Sequence, residues 1–179
     1  MDMTAQRELA RLLASLRREQ RGQSGLALHL VPPDKAAAYR IAGMVAEELG
    51  WPVLGWKIAA MKEEMQQALR TDSPIYGRVY FVAETPYTAV HASLASPIPE
   101  VEYQAKLGRD LPPRETPYTV EEVTDAVASL HPGLELAECR FIHDASFPPL
   151  PAILADGAGS GTIVYGPAIA DWRNRDIAG

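Results

Sequence analysis

The sequence predicts an α+β domain: N-terminal helices followed by a strand-rich, mixed-sheet body. Three observations lead there. The first fifty residues twice place apolar side chains at helical spacing. From Arg78 onward the apolar runs shorten and alternate, with proline, glycine and aspartate breakers between them. One capped helical segment is inserted among these runs instead of alternating with them, which argues against a doubly wound parallel sheet.

In chain order, residues 4 to about 21 set Leu9, Leu12, Leu13 and Leu16 on one stripe, an amphipathic helix. Its arginines, interrupted by Glu8 and Glu19, read as a solvated face. Residues 25–31 form a short apolar stretch ended by Pro32 and Pro33. Asp34 opens a second helix through Ala37, Ala38, Ile41, Ala42, Val45 and Leu49, and Gly50 closes it. Residues 53–59 read as a strand, 63–70 as a short helix, and 71–74 (Thr-Asp-Ser-Pro) as loop. Strands follow at 79–82, 89–94 and 98–107, the last broken by Arg109-Asp110-Leu111-Pro112-Pro113. Thr119 with Glu122 forms a capping-box signature for a helix burying Val123, Ala126, Val127 and Leu130, ended by His131-Pro132-Gly133. Residues 134–142 and 163–165 read as the final strands. No internal repeat or low-complexity tract is visible. The division expected is a helical segment over 1–50 and a strand-rich body over 51–179.

The 179 residues suffice for one domain with its own core, and 47% apolar with 22% charged residues excludes wholesale disorder. A net charge of −6 argues against nucleic acid as a partner. Cys139 is the single cysteine, which excludes an intramolecular disulfide framework and a Cys-rich zinc site. No apolar run approaches the roughly eighteen residues of a membrane span. The first eight residues hold early acids and no apolar signal core, so a cytoplasmic location is expected.

Four features can carry chemistry. Glu100 and Glu102, two apart on a strand, leave the same face, where their like charges repel unless a cation lies between them. Hard divalent ions such as Mg²⁺ or Mn²⁺ take such oxygen donors; a solvated strand face is the plain alternative. Glu135, in an apolar stretch, is either a third donor or a surface acid. Lys57, flanked by Trp56 and Ile58, is either desolvated, with a lowered pKa, or reaches out to water. Residues 156–161 (Asp-Gly-Ala-Gly-Ser-Gly) are a glycine-rich turn before a strand, the wrong context for a dinucleotide fingerprint. That turn suits either close backbone approach to a substrate carboxylate or a left-handed loop conformation. His29, His91, His131 and His143 show no metal-ligand spacing. His131 reads as structural, and Cys139 as buried and inert.

These pieces, in this order, resemble the 2-keto-4-pentenoate (2-hydroxypenta-2,4-dienoate) hydratase and 4-oxalocrotonate decarboxylase family, of the fumarylacetoacetate-hydrolase-like superfamily. The resemblance rests on Gly55-Trp56-Lys57-Ile58, Pro74-Ile75-Tyr76-Gly77, Glu100-Val101-Glu102 running into Gly108-Arg109-Asp110-Leu111-Pro112, Leu134-Glu135, and Ala155-Asp156 before the glycine turn. It spans nearly the whole chain from Ala27. It implies Mg²⁺ or Mn²⁺ held by Glu100, Glu102 and Glu135, and a small 2-keto or 2-hydroxy-dienoic acid as substrate. Lys57 and Asp156 would be catalytic, and Ser160 substrate-binding. The activity implied is hydration of such acids in aromatic-compound breakdown. A decarboxylase or C–C hydrolase sharing the same cage is the alternative, and a catalytically inactive homologue that binds a 2-keto acid or a partner is another. Ile75 stands where many hydratases of the family carry an aspartate, and Ser160 sits one residue later than the family's usual serine. The family's sheet normally continues past the position of Gly179. The resemblance therefore implies an incomplete C-terminal sheet: either a fragment or truncated gene product, or a homo-oligomer that covers the open edges.

Overall fold

A computed structural model describes residues 1–177. Helix α1 (Met3–Arg18) starts at Asp2, whose carboxylate accepts from the Ala5 N–H at 2.8 Å. Helix α2 (Lys35–Leu49) starts the same way at Asp34, and ends at Gly50 in the left-handed region with φ +64°. The two helices pack on each other, and α2 also packs on the short α5 (Leu150–Ala155). Their apolar stripes make the core: Leu9, Leu13, Ile41, Val45 and Leu154 are buried together with Phe141 and Ile75. Burial of this kind stabilises by roughly 1.5–3 kcal/mol per large side chain.

Beyond this helical layer lie two sheets. Strands β1 (Gly55–Ala59) and β2 (Ile75–Val79) form an antiparallel pair, with Lys57 opposite Gly77, and the short α3 (Glu63–Leu69) links them. The larger sheet has the order β3-β6-β5-β4. It is mixed: β3 (Phe81–Glu84) runs parallel to β6 (Thr162–Tyr165), whereas β5 (Val127–Ala137) is antiparallel to both β6 and β4 (Ile98–Leu107). Helix α4 (Val120–Ala126) precedes β5 and carries the capping box, with Thr119 and Glu122 exchanging bonds. The α+β expectation holds, and β4 has the bounds read from sequence.

Several elements differ from expectation. The helix opened by Thr119 stops at Ala126, and Val127, Leu130 and the His131-Pro132-Gly133 run all belong to β5. The long ladder with β4 outweighs the local helical pattern. Pro132 is tolerated inside β5 because its N faces the flank where β6 has already ended at Tyr165. Its carbonyl there accepts from the Gly166 N–H. His131 is structural, though in a strand: its ring bridges the Gly166 carbonyl and the Ser129 hydroxyl, each at 2.8 Å. The expected strand at 79–82 is two pieces, since the chain leaves one sheet at Val79 and enters the other at Phe81. Residues 89–94 find no strand partner and instead make a 3₁₀ turn at His91–Ser93. The strand expected over 134–142 ends at Ala137, after which Phe141 makes only an isolated bridge to Gln23. Helix α5 escapes periodicity because six residues are too few, although Pro149 and Pro151 flank its first turn.

Gly133 marks where β4, β5 and β6 crowd together. A Cβ there would lie 2.5 Å from the Val164 carbonyl oxygen and closer still to Oε1 of Gln104. The amide of Gln104 can swing away, but the Val164 backbone cannot. Gly133→Ala is expected to cost about 1–3 kcal/mol, the range for overpacking, read as a lower urea midpoint with an unchanged m-value. An unchanged midpoint would show that the sheet has slack at this rung.

Candidate metal centre

The β4–β5 register builds the site. Glu100 and Glu102 leave the same face of β4, and Glu135 stands directly across from Glu100 on β5. One carboxylate oxygen from each of Glu100, Glu102 and Glu135 lies within 4.8 Å of the others. Polarity on β4 is inverted. The acids occupy its half-buried face, while Val101 and Tyr103 on the other face are exposed. Glu135 is fully buried, and Glu100 keeps 40% of its side chain exposed, so the cluster is closed at its floor and open at its rim.

Lys57 reaches this cluster from β1. Its Nζ lies 2.9 Å from Oε2 of Glu100 and 2.9 Å from Oε2 of Glu135. Burial pulls the ammonium's pKa down, but the bonds and charges of Glu100 and Glu135 more than offset that, and the net direction is up. Neither reading offered by the sequence holds as it stood: Lys57 is buried and does not reach water, and its pKa is raised, not lowered, because the two glutamates pair with it. Glu102, which Lys57 does not bond, shows the residual crowding. Burial, and then the charge on Glu135, hold its carboxyl above the usual range.

Glu135 is fixed from behind. Its Oε1 accepts from the Gly161 N–H at 3.0 Å, which ties the cluster to the glycine turn. The Asp156 carboxylate of that turn accepts from the backbone N–H of Arg140 at 3.0 Å and from its Nε at 2.8 Å. Arg17, from the last turn of α1, donates to the Asp156 carbonyl at 2.7 Å. Both arginines also reach the Ser160 carbonyl, and the Ser160 hydroxyl donates to the Arg78 carbonyl at 2.6 Å. The structure thus brings Lys57, Glu100, Glu102 and Glu135 together. Asp156 and Ser160 lie behind that group, joined to it through Gly161.

The two arginines were not visible as site residues in the sequence. Arg17 is buried, contrary to a wholly solvated arginine face on α1; burial, and then Arg140, bring its pKa down to about 10. Its signal was positional, four residues after Leu13 on the apolar stripe. Cys139 is buried as expected, and burial, reinforced by Asp156, pushes its thiol up to about 11.

The donor set fits a hard divalent ion. Three acids with no neutral donors among them converge on one point, their charge is only partly matched by one ammonium, and Glu102 is left with a raised proton affinity. Among the described residues, no histidine or cysteine, the donors softer metals favour, joins the cluster.

No family model and no curated protein sequence matches the chain. Solved structures do. The chain superposes on 4-oxalocrotonate decarboxylase from Pseudomonas putida G7, complexed with magnesium and adipate, with a TM-score of 0.83 at 18% identity. The match covers 99% of this chain and 68% of that one. The chain has the fold of 4-oxalocrotonate decarboxylase. A second structure of that decarboxylase, complexed with calcium and acetate, matches with a TM-score of 0.82 at 18% identity, covering 99% and 67% of the two chains. Among the described residues, no helix is long and apolar enough to cross a membrane.

Two predictions follow from the electrostatics. A carboxyl whose folded pKa is raised adds stability below its unfolded pKa and loses it as pH rises through the folded value. Glu102→Gln, measured with a chelator present, should therefore be more stable than wild type at pH 7. The gap should vanish below about pH 4, where the unfolded carboxyl is itself protonated. Equal stability at pH 7 would remove the argument that Glu102 is crowded. Asp156→Asn strips the counter-charge from Arg140 and Arg17. A loss of about 3–5 kcal/mol in denaturant unfolding is expected, the range for breaking a buried ion pair by removing one partner.

Proposed function

We propose that the chain carries the metal cage of a lyase acting on short 2-keto or 2-hydroxy-dienoic acids of aromatic-compound breakdown. Decarboxylation of a 4-oxalocrotonate-type acid is favoured over hydration. The observation that carries the reading is the convergence of Glu100, Glu102 and Glu135 within 4.8 Å beside the bridging ammonium of Lys57. Support comes from the decarboxylase of the same fold, whose structure is complexed with magnesium and adipate, a small dicarboxylate.

Glu100, Glu102 and Glu135 would hold Mg²⁺ or Mn²⁺. When bound, such an ion supplies Lewis-acid polarisation of the oxygens of a 2-oxo acid. Lys57 contributes a fixed positive charge and a proton at Nζ, available to a substrate carboxylate or to a carbon that must be protonated. With its pKa raised it serves as donor and counter-charge, not as base. Asp156 acts through Arg140, holding the turn whose Gly161 N–H orients Glu135. Ser160, with its hydroxyl committed to the Arg78 carbonyl, contributes to substrate binding through the turn it rigidifies.

Ile75 bears on the choice between the two lyase reactions. It is buried in the apolar core at the start of β2, where many hydratases of the resembling family carry an aspartate. With no carboxylate there, a candidate base for activating water is gone, which favours loss of CO₂ over addition of water. The inactive-homologue reading draws on the same Ile75, and on Lys57, which already partly neutralises the cage from within the chain.

Incubation with Mg²⁺ and either 4-oxalocrotonate or 2-hydroxypentadienoate tests the assignment. CO₂ release from the first is the expected outcome. Loss of the diene absorbance of the second without CO₂ would instead establish hydration, and Mg²⁺ binding without either turnover would favour the inactive homologue. Lys57→Met should retain divalent-ion binding and lose turnover; an active Met variant would remove Lys57 from the chemistry.

A further inference from the structure

The hairpin of β1 and β2 has two faces with different neighbours. Lys57 and Gly77 oppose each other in its register, and Lys57 turns toward the carboxylate cluster. The adjoining pair, Trp56 and Arg78, turns the other way, as do Ile58 and Tyr76. On that reverse face the Tyr76 ring stacks on Tyr39 of α2, with centroids 4.2 Å apart and planes within 3°. A cavity lies there, lined by residues between Arg17 and Gly157. With its open mouth it encloses about 320 Å³.

The floor of this cavity is buried and cationic. Arg17 and Tyr80 are both more than nine-tenths buried, and the guanidinium carbon of Arg17 lies 5.3 Å from the centre of the Tyr80 ring. Both terminal nitrogens of Arg17 are taken by the carbonyls of Ser160 and Asp156, but its Nε–H is buried with no partner. Among the described residues the Tyr80 hydroxyl makes no hydrogen bond either, and the charges of Arg17, Arg78 and Arg140 all act on it. The Asp156 carboxylate does not answer these donors. Arg140 holds both of its oxygens, and Nη2 of Arg17 stays 3.8 Å from Oδ1. Glu138 acts on Arg17 more weakly than Asp156 does. Arg78, half-buried, has no ion pair or side-chain hydrogen bond among the described residues, and its guanidinium lies 5.1 Å from the centre of the Trp56 ring.

Buried donors without acceptors are costly, and so is a buried cation that lacks a full counter-charge. An anion answers both, and the shape of the cavity narrows its class. The floor has room for about one water, enough for a carboxylate oxygen but not for a whole tetrahedral phosphate. The rim is aromatic: Trp56 is 55% exposed and Tyr76 43%. We propose that this cavity is a second binding site, which takes the carboxylate of a small aromatic acid. One oxygen meets the Arg17 Nε–H and the Tyr80 hydroxyl, the other faces Arg78, and the ring lies against Trp56 and Tyr76. The site shares no side chain with the carboxylate cluster and needs no divalent ion. In a chain of net charge −6, anions are not drawn in by the overall field, so retention of one reports a local site.

Equilibrium dialysis of the full chain, freed of divalent ions, against radiolabelled benzoate tests this. One benzoate per chain should be retained. Benzyl alcohol, with the ring but no charge, and inorganic phosphate, with charge but no ring, should bind at least about tenfold more weakly. Arg78→Gln and Tyr80→Phe should each weaken benzoate binding by about tenfold or more, as for loss of a hydrogen bond to a charged group. Tyr80→Phe keeps its ring beside Arg17 and Trp51, so its loss reports the hydroxyl and not the fold. Lys57→Met should bind benzoate as the wild type does, because Lys57 lies on the other face of the hairpin. No retention by the wild type at millimolar benzoate would overturn the proposal, and so would equal retention of phosphate or benzyl alcohol. Loss of binding in Lys57→Met, with none in Arg78→Gln or Tyr80→Phe, would place the acid at the carboxylate cluster and overturn it equally.

Discussion

Two glutamates face each other across a ladder. The β4–β5 register places Glu100 opposite Glu135, with Glu102 one rung on, and nothing in sheet energetics favours that. Like charges directly opposed destabilise a strand pair by tenths of a kcal/mol or more at a surface, and the cost grows as the groups are buried. The surrounding structure answers this cost. Lys57 crosses from the smaller sheet to bridge two of the acids, and Gly161 donates its N–H to the buried one. A cluster that remains crowded after both is held open by the fold, as sites are that trade stability for function.

That holding extends through the molecule. Arg17 ties helix α1 to the glycine turn, Arg140 clamps Asp156 in the same turn, and the turn supports Glu135. The helical layer is thus mechanically part of the site, though none of its side chains touches the carboxylate cluster. Lys57 likewise depends on β1 lying over the β4–β5 face. The proposed metal-dependent chemistry rests on this one arrangement of side chains.

Much of the fold was legible in the sequence. The leucine stripe announced the first helix and Asp34 the second, as did Gly50 its end, and β4 was readable from Ile98 to Leu107. The errors cluster where long-range pairing overrode local pattern. Val127 and Leu130 continue a helical stripe in sequence, but the β4 ladder claims them. His131-Pro132-Gly133 looks like a stop, and is a stretch where β6 runs out beside a proline and three backbones crowd a glycine. Among the site residues, the pairing of Glu100 with Glu102 followed from strand periodicity alone. Their convergence with Glu135 came only through resemblance, because no local rule says which face of an alternating strand turns inward. On β4 the apolar side chains face out, so hydrophobicity alone would have put the acids in water.

The claim beneath all of this is that the three carboxylates act as one ligand set. Manganese electron paramagnetic resonance measures that directly, through the loss of the free-ion signal as protein is added. The account predicts one Mn²⁺ immobilised per wild-type chain, with binding largely lost in Glu135→Gln, a variant that keeps an acceptor for the Gly161 N–H. A free-ion signal untouched by the wild-type protein, or equal binding by the two proteins, would contradict it.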